Sequence, residues 1–394
     1  MELGLRSVSA WLFGTGVFGV WVDFVVGSAH RPAGHLAGKR VFMSKSKIAA
    51  VDNRKRRWVP LLLLVGLSGC SSYYGQLAVG QLELLRQREP IAAIIDNPQS
   101  DPLLRQRLTL ALQARGFASR ALALPDNRSY RVYAELQRPY VMWNLFVAEE
   151  FSVAQQTQCF PIAGCVGYRG YYQQGRARGA AALLQAEGYD TLVAGVPAYS
   201  TLGWFDDPLL SSMLRWDDDR LAGLIFHELA HQRLYVTDDT AFNESYASFV
   251  EREGLRQWRA SRGLPPSSDA LRDQYADLSR LALATRERLA ALYASGLSEP
   301  EMRAAKAAEF MRMRQAYRRL RDGAWNGDDR FDRWMAQPLN NASLVPFGLY
   351  DQWVSAFAAL FEQVGGDWPR FHAQVDALGR LPADERKRQL EALR

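Results

Sequence analysis

Residues 221–235 read Leu-Ala-Gly-Leu-Ile-Phe-His-Glu-Leu-Ala-His-Gln-Arg-Leu-Tyr, preceded by three aspartates. Acidic residues at a helix start accept hydrogen bonds from free N–H groups and complement the helix dipole, so we expect a helix to begin near Asp218. His227 and His231 then share one helix face. Two such imidazoles can hold one zinc ion at roughly 2.0 to 2.1 Å, with Glu228 beside them as general base toward a metal-bound water.

A catalytic zinc site needs a third protein ligand and an open position for water. The stretch from Thr240 to Glu251 predicts a second helix after a short turn. Glu244 would face back toward the two histidines, and we predict it as the third ligand. Small Ala247 and Ser248 would let the two helices approach closely. Glu251 is predicted to orient a ligand histidine from behind.

Other third ligands fit less well. Thr237 stands where metzincins carry a histidine, and Leu234 stands where they need glycine. His372 lies far downstream in an amphipathic helix. The H-E-x-x-H pattern also arises by chance. The alternative interpretation is therefore a pair of packing or surface histidines that happen to stand four residues apart.

Residues 54–72 read RKRRWVPLLLLVGLSGCSS. A basic head, a short apolar run and small residues are typical of a secretory signal, and the run is shorter than the ~20 residues that span a bilayer. Leu67-Ser-Gly-Cys70 resembles the lipobox of bacterial lipoproteins. That resemblance implies a lipid on Cys70 and a place in the bacterial cell envelope, with Ser71 fitting the periplasmic face of the outer membrane. The alternative is a cleaved signal with a coincidental cysteine.

The segment 43–69 is thus the predicted lipoprotein signal peptide, with Met43 as the expected start. Residues 1–42 are predicted to be a mis-assigned upstream extension, because targeting segments normally begin near the start codon. If translation does begin at Met1, the apolar stretch from Ala10 to Ala29 is a candidate transmembrane helix. The 394 residues, 48% hydrophobic and 23% charged, otherwise have the composition of a globular protein. A net charge of +6 without an aromatic-interleaved basic stripe predicts no nucleic-acid partner.

We predict an α+β, helix-dominated fold for residues 70–394. Two runs rich in β-branched and aromatic residues, Tyr130–Leu136 and Tyr140–Val147, look like paired strands, and Asp190–Val196 like another strand. The β-containing part extends to about 215, the metal-site helices cover 217–254, and a helical C-terminal part covers 266–394. Helices are predicted at about 74–88, 102–115, 175–187, 268–294, 300–321, 349–364 and 368–378.

The chain has three cysteines. The lipid accounts for Cys70, which leaves Cys159 and Cys165 around a short loop that contains Pro161 and Gly164. In an oxidising periplasm this spacing predicts a disulfide, since a soft-metal site would need more ligands than the stretch offers.

The chain from Cys70 onward resembles a family of bacterial lipoproteins described as putative aminopeptidases. The segments that carry the resemblance are the lipobox, Cys159–Cys165 with Tyr168-Arg-Gly-Tyr-Tyr, the His-Glu-Leu-Ala-His-Gln helix, Asn243-Glu244, and Leu339-Asn-Asn-Ala with Tyr350. The Asn243-Glu244 step also resembles the segment that supplies the glutamate ligand in thermolysin-like and related gluzincin peptidases, although the gap from His231 is shorter here. The resemblance implies a zinc peptidase with a zincin-like domain, in which a small β-sheet lies beside the H-E-x-x-H helix.

Peptide hydrolysis also needs a group that stabilises the tetrahedral oxyanion. Because related zincins use a tyrosine from a C-terminal helix, Tyr350 is the predicted donor. Its alternative role is that of a core tyrosine at a helix start. Tyr199 is a weaker candidate, after a strand that could bind substrate backbone at its edge.

The sequence therefore predicts zinc-dependent peptide hydrolysis, with an aminopeptidase favoured by the family. No acidic residue is marked for binding a substrate's free ammonium, so exopeptidase and endopeptidase both stay open. A non-catalytic envelope-binding lipoprotein with a structural metal site, and a cell-wall amidase or endopeptidase, are the competing interpretations.

Overall fold

The computed structural model describes residues 68–154, 156, 158–160, 164–198, 200–201, 206–268, 270–347 and 352–394. The predicted upstream extension and the signal peptide up to residue 67 lie outside these ranges, as do Tyr199 and Tyr350. Within the described ranges, none of the helices has the length and apolar character that a membrane span requires.

The N-terminal part combines helices with short strands. Its helices are α1 (Ser68–Arg86), α2 (Ile91–Asp96), α3 (Pro102–Ala121) and α4 (Gln174–Ala186). Its strands are β1 (Arg88–Pro90), β2 (Val132–Ala134), β3 (Met142–Ala148), β4 (Gln158–Phe160), β5 (Gly164–Val166), β6 (Arg169–Tyr171), β7 (Asp190–Val196) and β8 (Leu209–Leu210).

Within the described ranges, the strands form three small sheets. β3 lies at the centre of one antiparallel sheet between β6 and β7, and all of its residues are buried. β2 belongs to another sheet, where it pairs antiparallel with β1 and parallel with β8. The predicted pairing of the 130–136 run with the 140–147 run is therefore wrong. Each run found a partner distant in sequence, and Gln137, at φ 52°, lies in the connection between them.

Two helices follow, α5 (Asp218–Arg233) and α6 (Thr240–Ser261), and they pack against one another. An aspartate side chain caps the start of each helix. Asp217 accepts a hydrogen bond from the backbone N–H of Arg220, and Asp239 accepts one from the backbone N–H of Phe242. α3 packs on α5, with the Phe117 and Phe226 rings 5.9 Å apart. The helix pair thus lies inside the main core rather than on the surface.

The C-terminal part is helical. Its elements are α7 (Ala270–Tyr293), α8 (Glu299–Asp322), α9 (Asp332–Met335), α10 (Asn341–Leu344), α11 (Val354–Gln363), α12 (Trp368–Gly379) and α13 (Ala383–Ala392). α7 and α8 form a hairpin with its own apolar core around Trp334 and Tyr317. α11 and α12 pack instead on α6, through an aromatic cluster of Tyr246, Phe357 and Phe371. The predicted helix-dominated α+β class is confirmed.

Candidate metal centre

α5 carries the predicted motif at the centre of the protein. Every residue from Leu221 to His231 is buried, which leaves no polar face for solvent. A helix this deeply enclosed has no room for ordinary solvated polar groups. The three polar side chains of the motif are nevertheless inside, with His227 at 3% exposure, Glu228 at 2% and His231 at 1%.

The turn between α5 and α6 is closed by one side chain. The Asn243 amide accepts from the Val236 backbone N–H at 2.8 Å and donates to the Val236 carbonyl at 2.7 Å. Asp238 in this turn adopts φ 61°. The clasp places the residue after Asn243, Glu244, opposite the histidines of α5, as the sequence predicts.

His227, His231 and Glu244 form one cluster, in which the candidate ligand atoms all lie within 4.8 Å of one another. The Nε2 atoms of His227 and His231 are 3.1 Å apart. The Glu244 oxygens lie 3.5 Å from the Nε2 of His227 and 3.4 Å from that of His231. The structure therefore brings together the three residues that the sequence assigns to the metal.

Glu251 lies behind this cluster, two turns further along α6. Its Oε2 is 3.0 Å from Nδ1 of His227. Because an ionised carboxylate can only accept a hydrogen bond, Nδ1 must carry the proton and donate it. The other ring nitrogen, Nε2, is then left with its lone pair facing His231. Gly223 makes this approach possible, since a Cβ there would lie 3.3 Å from the Glu251 side chain.

The polar atoms of the cluster fit a bound cation. Both Glu244 oxygens, the Oε2 of Glu228 and the Nδ1 of His231 are buried without a hydrogen bond of normal geometry to any described residue. A buried carboxylate without donors is costly. Two imidazole nitrogens that face each other beside such a carboxylate need a proton or a metal between them. A divalent cation on these three residues satisfies that need.

Burial is the main influence on the charges here. It raises the pKa of Glu228 to about 8 and also raises the pKa of Glu244. It lowers the pKa of His231 well below the ordinary value, with His227 adding to the effect. Burial acts in the same direction on His227, but the Glu244 and Glu251 carboxylates outweigh it and raise the pKa of His227. The cluster thus combines acceptors that a proton or a cation would stabilise.

A second group of polar residues, buried or partly buried, adjoins α5, and the sequence did not predict it. Gln232, next to His231, accepts from the Asn127 amide at 2.6 Å and donates to Ser129 Oγ and to Asp207 Oδ2 at 3.3 and 3.2 Å. Asp207 also accepts from the Thr201 hydroxyl at 2.6 Å. Burial raises the pKa of Asp207 to about 6. Nothing in residue spacing marks this network, because its members come from three separate segments.

The remaining predicted residues lie apart from the metal cluster or outside the described ranges. His372 bonds the Tyr246 hydroxyl at 2.9 Å and the Leu122 carbonyl at 2.8 Å, in keeping with its rejection as a ligand. Tyr350 and Tyr199 are among the residues that the structure does not describe. The backbones of Cys159 and Cys165 are direct partners in the β4–β5 pair, and the disulfide stays a prediction.

A buried His-His-Glu cluster with a carboxylate next to it defines a candidate metal centre of the hydrolytic kind. The family model described as Putative aminopeptidase matches residues 72–390. Because the match covers most of the chain, the protein belongs to that family, whose description indicates a peptidase-like function and a peptide substrate. No curated protein and no solved structure matches the chain significantly.

Proposed function

We propose that the protein is a zinc-dependent peptidase with a zincin-like domain, in which His227, His231 and Glu244 hold the metal and Glu228 is the general base. The observation that carries the proposal is the cluster of three buried ligand side chains whose metal-facing atoms converge. Membership of the family described as Putative aminopeptidase supplies the reaction class.

The ligand set favours zinc over harder cations. Two imidazole nitrogens and one carboxylate are the ligands of many catalytic zinc sites, whereas calcium and magnesium prefer oxygens. Structural zinc usually fills four protein positions, and three are found among the described residues. Zinc bound here would supply a Lewis acid and lower the pKa of a water molecule. The count of three favours catalysis over a purely structural site.

The position of Glu228 supports a role in proton transfer. It lies on α5 next to His227, and its Oε2 has no hydrogen-bond partner of normal geometry among the described residues. In hydrolysis it accepts a proton from the attacking water as the new C–O bond forms. It then returns that proton to the nitrogen as the C–N bond breaks, giving a carboxylic acid and an amine, which exchange a proton to become a carboxylate and an ammonium. A cation held by the neighbouring ligands would offset the burial that raises the pKa of Glu228.

The family description supports an aminopeptidase, and endopeptidase or cell-wall amidase activity is the second candidate. The two differ in whether the substrate needs a free α-amino group. Hydrolysis of leucine and alanine p-nitroanilides, set against internally quenched peptides with blocked ends and purified muropeptides, separates them. The substrate that is cleaved with the highest kcat/KM assigns the class.

We further propose that the protein is a lipoprotein on the periplasmic face of the outer membrane, with the lipid on Cys70 and a Cys159–Cys165 disulfide. The sequence around Cys70 and the register of β4 with β5 support these two points. Mass spectrometry of the mature N-terminal peptide tests the lipid, and Cys70→Ala should release the protein from membrane fractions. Alkylation of thiols with and without reductant tests the disulfide.

The central experiment compares wild type with Glu228→Gln and with Glu287→Gln, a matched change at an exposed residue of α7. We expect about one zinc per chain by mass spectrometry in all three proteins. Loss of the general base should lower kcat by roughly 10²- to 10⁴-fold in Glu228→Gln alone. The expected reason is that glutamine preserves the shape of the side chain but cannot accept the proton.

Two outcomes would contradict the proposal. If wild type reconstituted with zinc binds none, the helix pair is only a packing element. If zinc binds but Glu228→Gln hydrolyses peptides as fast as Glu287→Gln, the metal is structural or another residue is the base.

A further inference from the structure

Tyr130 has an unusual backbone conformation for a bulky residue. It lies two residues before β2 with φ 61°, in the left-handed region that side chains rarely adopt. Its backbone N–H donates to the Asp207 carbonyl at 2.7 Å. Strained positions of this kind persist only where the surroundings hold them, and they concentrate at functional sites.

The segment before Tyr130 is held by a buried guanidinium. Arg115 of α3 is 1% exposed and donates to the backbone carbonyls of Ser129, Pro125 and Asn127 at 3.1, 2.9 and 3.0 Å. A charged group is buried only when it is well bonded. Here its donors fix the backbone that leads into Tyr130.

The same segment is attached to the metal-binding helix. Gln232 bonds Asn127 and Ser129, and Glu228 stands one turn earlier, on the same face of α5. Tyr130, which follows Ser129, therefore lies on the side of α5 that carries Glu228. Electrostatics agree with this placement, because the Glu228 carboxylate raises the pKa of the Tyr130 phenol.

The Tyr130 side chain is 2% exposed, and its hydroxyl makes no hydrogen bond of normal geometry with a described residue. The Ser200 hydroxyl is near enough to lower the pKa of the phenol, but burial dominates and raises that pKa well above 10.0. The group is thus a proton-bearing donor at neutral pH. A buried hydroxyl without a hydrogen bond lowers the stability of the fold, so its presence calls for a functional reason.

Two neighbouring buried oxygens, Tyr130 Oη and Glu228 Oε2, therefore lack partners of normal geometry among the described residues. Glu228 can accept a proton and Tyr130 can donate a hydrogen bond, which are the two complementary requirements of water attack on a carbonyl. We propose that the Tyr130 hydroxyl donates a hydrogen bond to the oxyanion that forms when water adds to the substrate carbonyl. This inference rests on the proposed peptidase function and assigns to Tyr130 the role predicted for Tyr350 from the resemblance to related zincins.

The test uses the zinc-loaded full-length chain and the variant Tyr130→Phe, which removes only the hydroxyl. The matched control is Tyr133→Phe on β2, whose hydroxyl bonds Glu135 at 2.6 Å. The readouts are kcat and KM on the better of the anilide and quenched-peptide substrates, zinc content, and Tm. A fourth readout is the Ki of a phosphinic pseudo-peptide, whose tetrahedral oxygens mimic the oxyanion.

We expect kcat to fall roughly 10²- to 10³-fold in Tyr130→Phe with KM within threefold of wild type. The phosphinic inhibitor should bind more weakly by a similar factor, while the amine product of the reaction binds unchanged. Zinc content should stay at the wild-type level and Tm should stay equal or rise, because the lost hydroxyl makes no hydrogen bond of normal geometry with a described residue. Tyr133→Phe should leave kcat and Ki unchanged.

Three results would overturn the inference. One is unchanged kcat and inhibitor binding in Tyr130→Phe. Another is a lower Tm with an equal loss of substrate, product and inhibitor binding, which would make the hydroxyl structural. The third is a kcat effect without any effect on the inhibitor. Failure of the peptidase proposal itself is distinguishable, because it appears in wild type and Glu228→Gln as absent zinc or unaffected hydrolysis.

Discussion

His372 and the His227–His231 pair are all buried, but their ring nitrogens have different partners. His372 of α12 is 1% exposed, and both of its nitrogens are bonded, Nδ1 to the Tyr246 hydroxyl and Nε2 to the Leu122 carbonyl. His227 and His231 are equally buried. Nδ1 of His227 lies 3.0 Å from the Glu251 carboxylate, and the two Nε2 atoms face each other.

The difference shows that burial alone does not identify a ligand histidine. His372 has a pKa lowered to about 4 by burial, so it is neutral, and it joins α12 to α6 and to the end of α3. In the candidate metal centre the same residue type lies against the Glu244 carboxylate, whose oxygens accept no hydrogen bond of normal geometry from a described residue. A histidine whose two ring nitrogens are both hydrogen-bonded has a packing role. A histidine whose ring nitrogen faces other acceptors, with no donor between them, indicates a cation site.

The largest expected effect is the loss of zinc in Glu244→Ala. Removing a direct ligand should weaken zinc affinity by more than about 100-fold, the upper range for changing an outer-shell partner. His372→Gln should retain wild-type affinity. Competition with a chromophoric chelator measures both. Weak zinc binding in His372→Gln, or tight binding in Glu244→Ala, would break the contrast between the two sites.

Glu251 should have a smaller effect, because it acts through His227. We expect Glu251→Ala to lower zinc affinity roughly 10- to 100-fold, since the ring of His227 loses the acceptor that orients it. Glu251→Gln keeps an acceptor oxygen and should lose less. The same chelator competition ranks the three proteins. Equal affinities in wild type and Glu251→Ala would show that the packing of α5 alone orients His227.

The smallest effect concerns acid stability and comes from His372. Its pKa is about 4 when folded and about 6.5 in an unfolded chain, so the unfolded state binds more protons between these values. Its contribution to stability is complete above pH 6.5 and is lost as pH falls toward 4, by at most roughly 3 kcal/mol.

This prediction is measured by urea denaturation at pH 7.5 and 4.5 in the Glu244→Ala background, which removes zinc linkage. His372→Gln in that background should lose less stability on acidification than its parent. An equal loss in the two proteins would mean that His372 does not have the depressed pKa.

The helices and the convergence of His227, His231 and Glu244 were predictable because their signals are local. Aspartates mark the starts of α5 and α6, and the structure places those starts at Asp218 and Thr240. Ligand histidines four residues apart and a glutamate on the next helix are related by helix geometry alone. The predicted ends of the long helices α7 and α8 agree with the structure to within two residues.

The strand pairing and the backbone conformation of Tyr130 were not predictable in this way. β2 pairs with β1 and β8, which lie far away in the chain, whereas the sequence favoured a hairpin with the neighbouring run. The residue pattern predicts a strand that begins at Tyr130, whereas the strand begins at Val132. Its left-handed backbone depends on Arg115 and Asp207, and such long-range support leaves no pattern in the residues around it.

The Asn243 clasp on Val236 has a consequence for variation of the chain. Most surface connections tolerate inserted residues, because only their ends are constrained. Here one residue added between Val236 and Thr240 would lengthen the segment that the Asn243 side chain closes, and it would disturb the clasp that holds Glu244 opposite the histidines. Natural sequence drift that lengthens other loops should therefore leave the length of this connection unchanged.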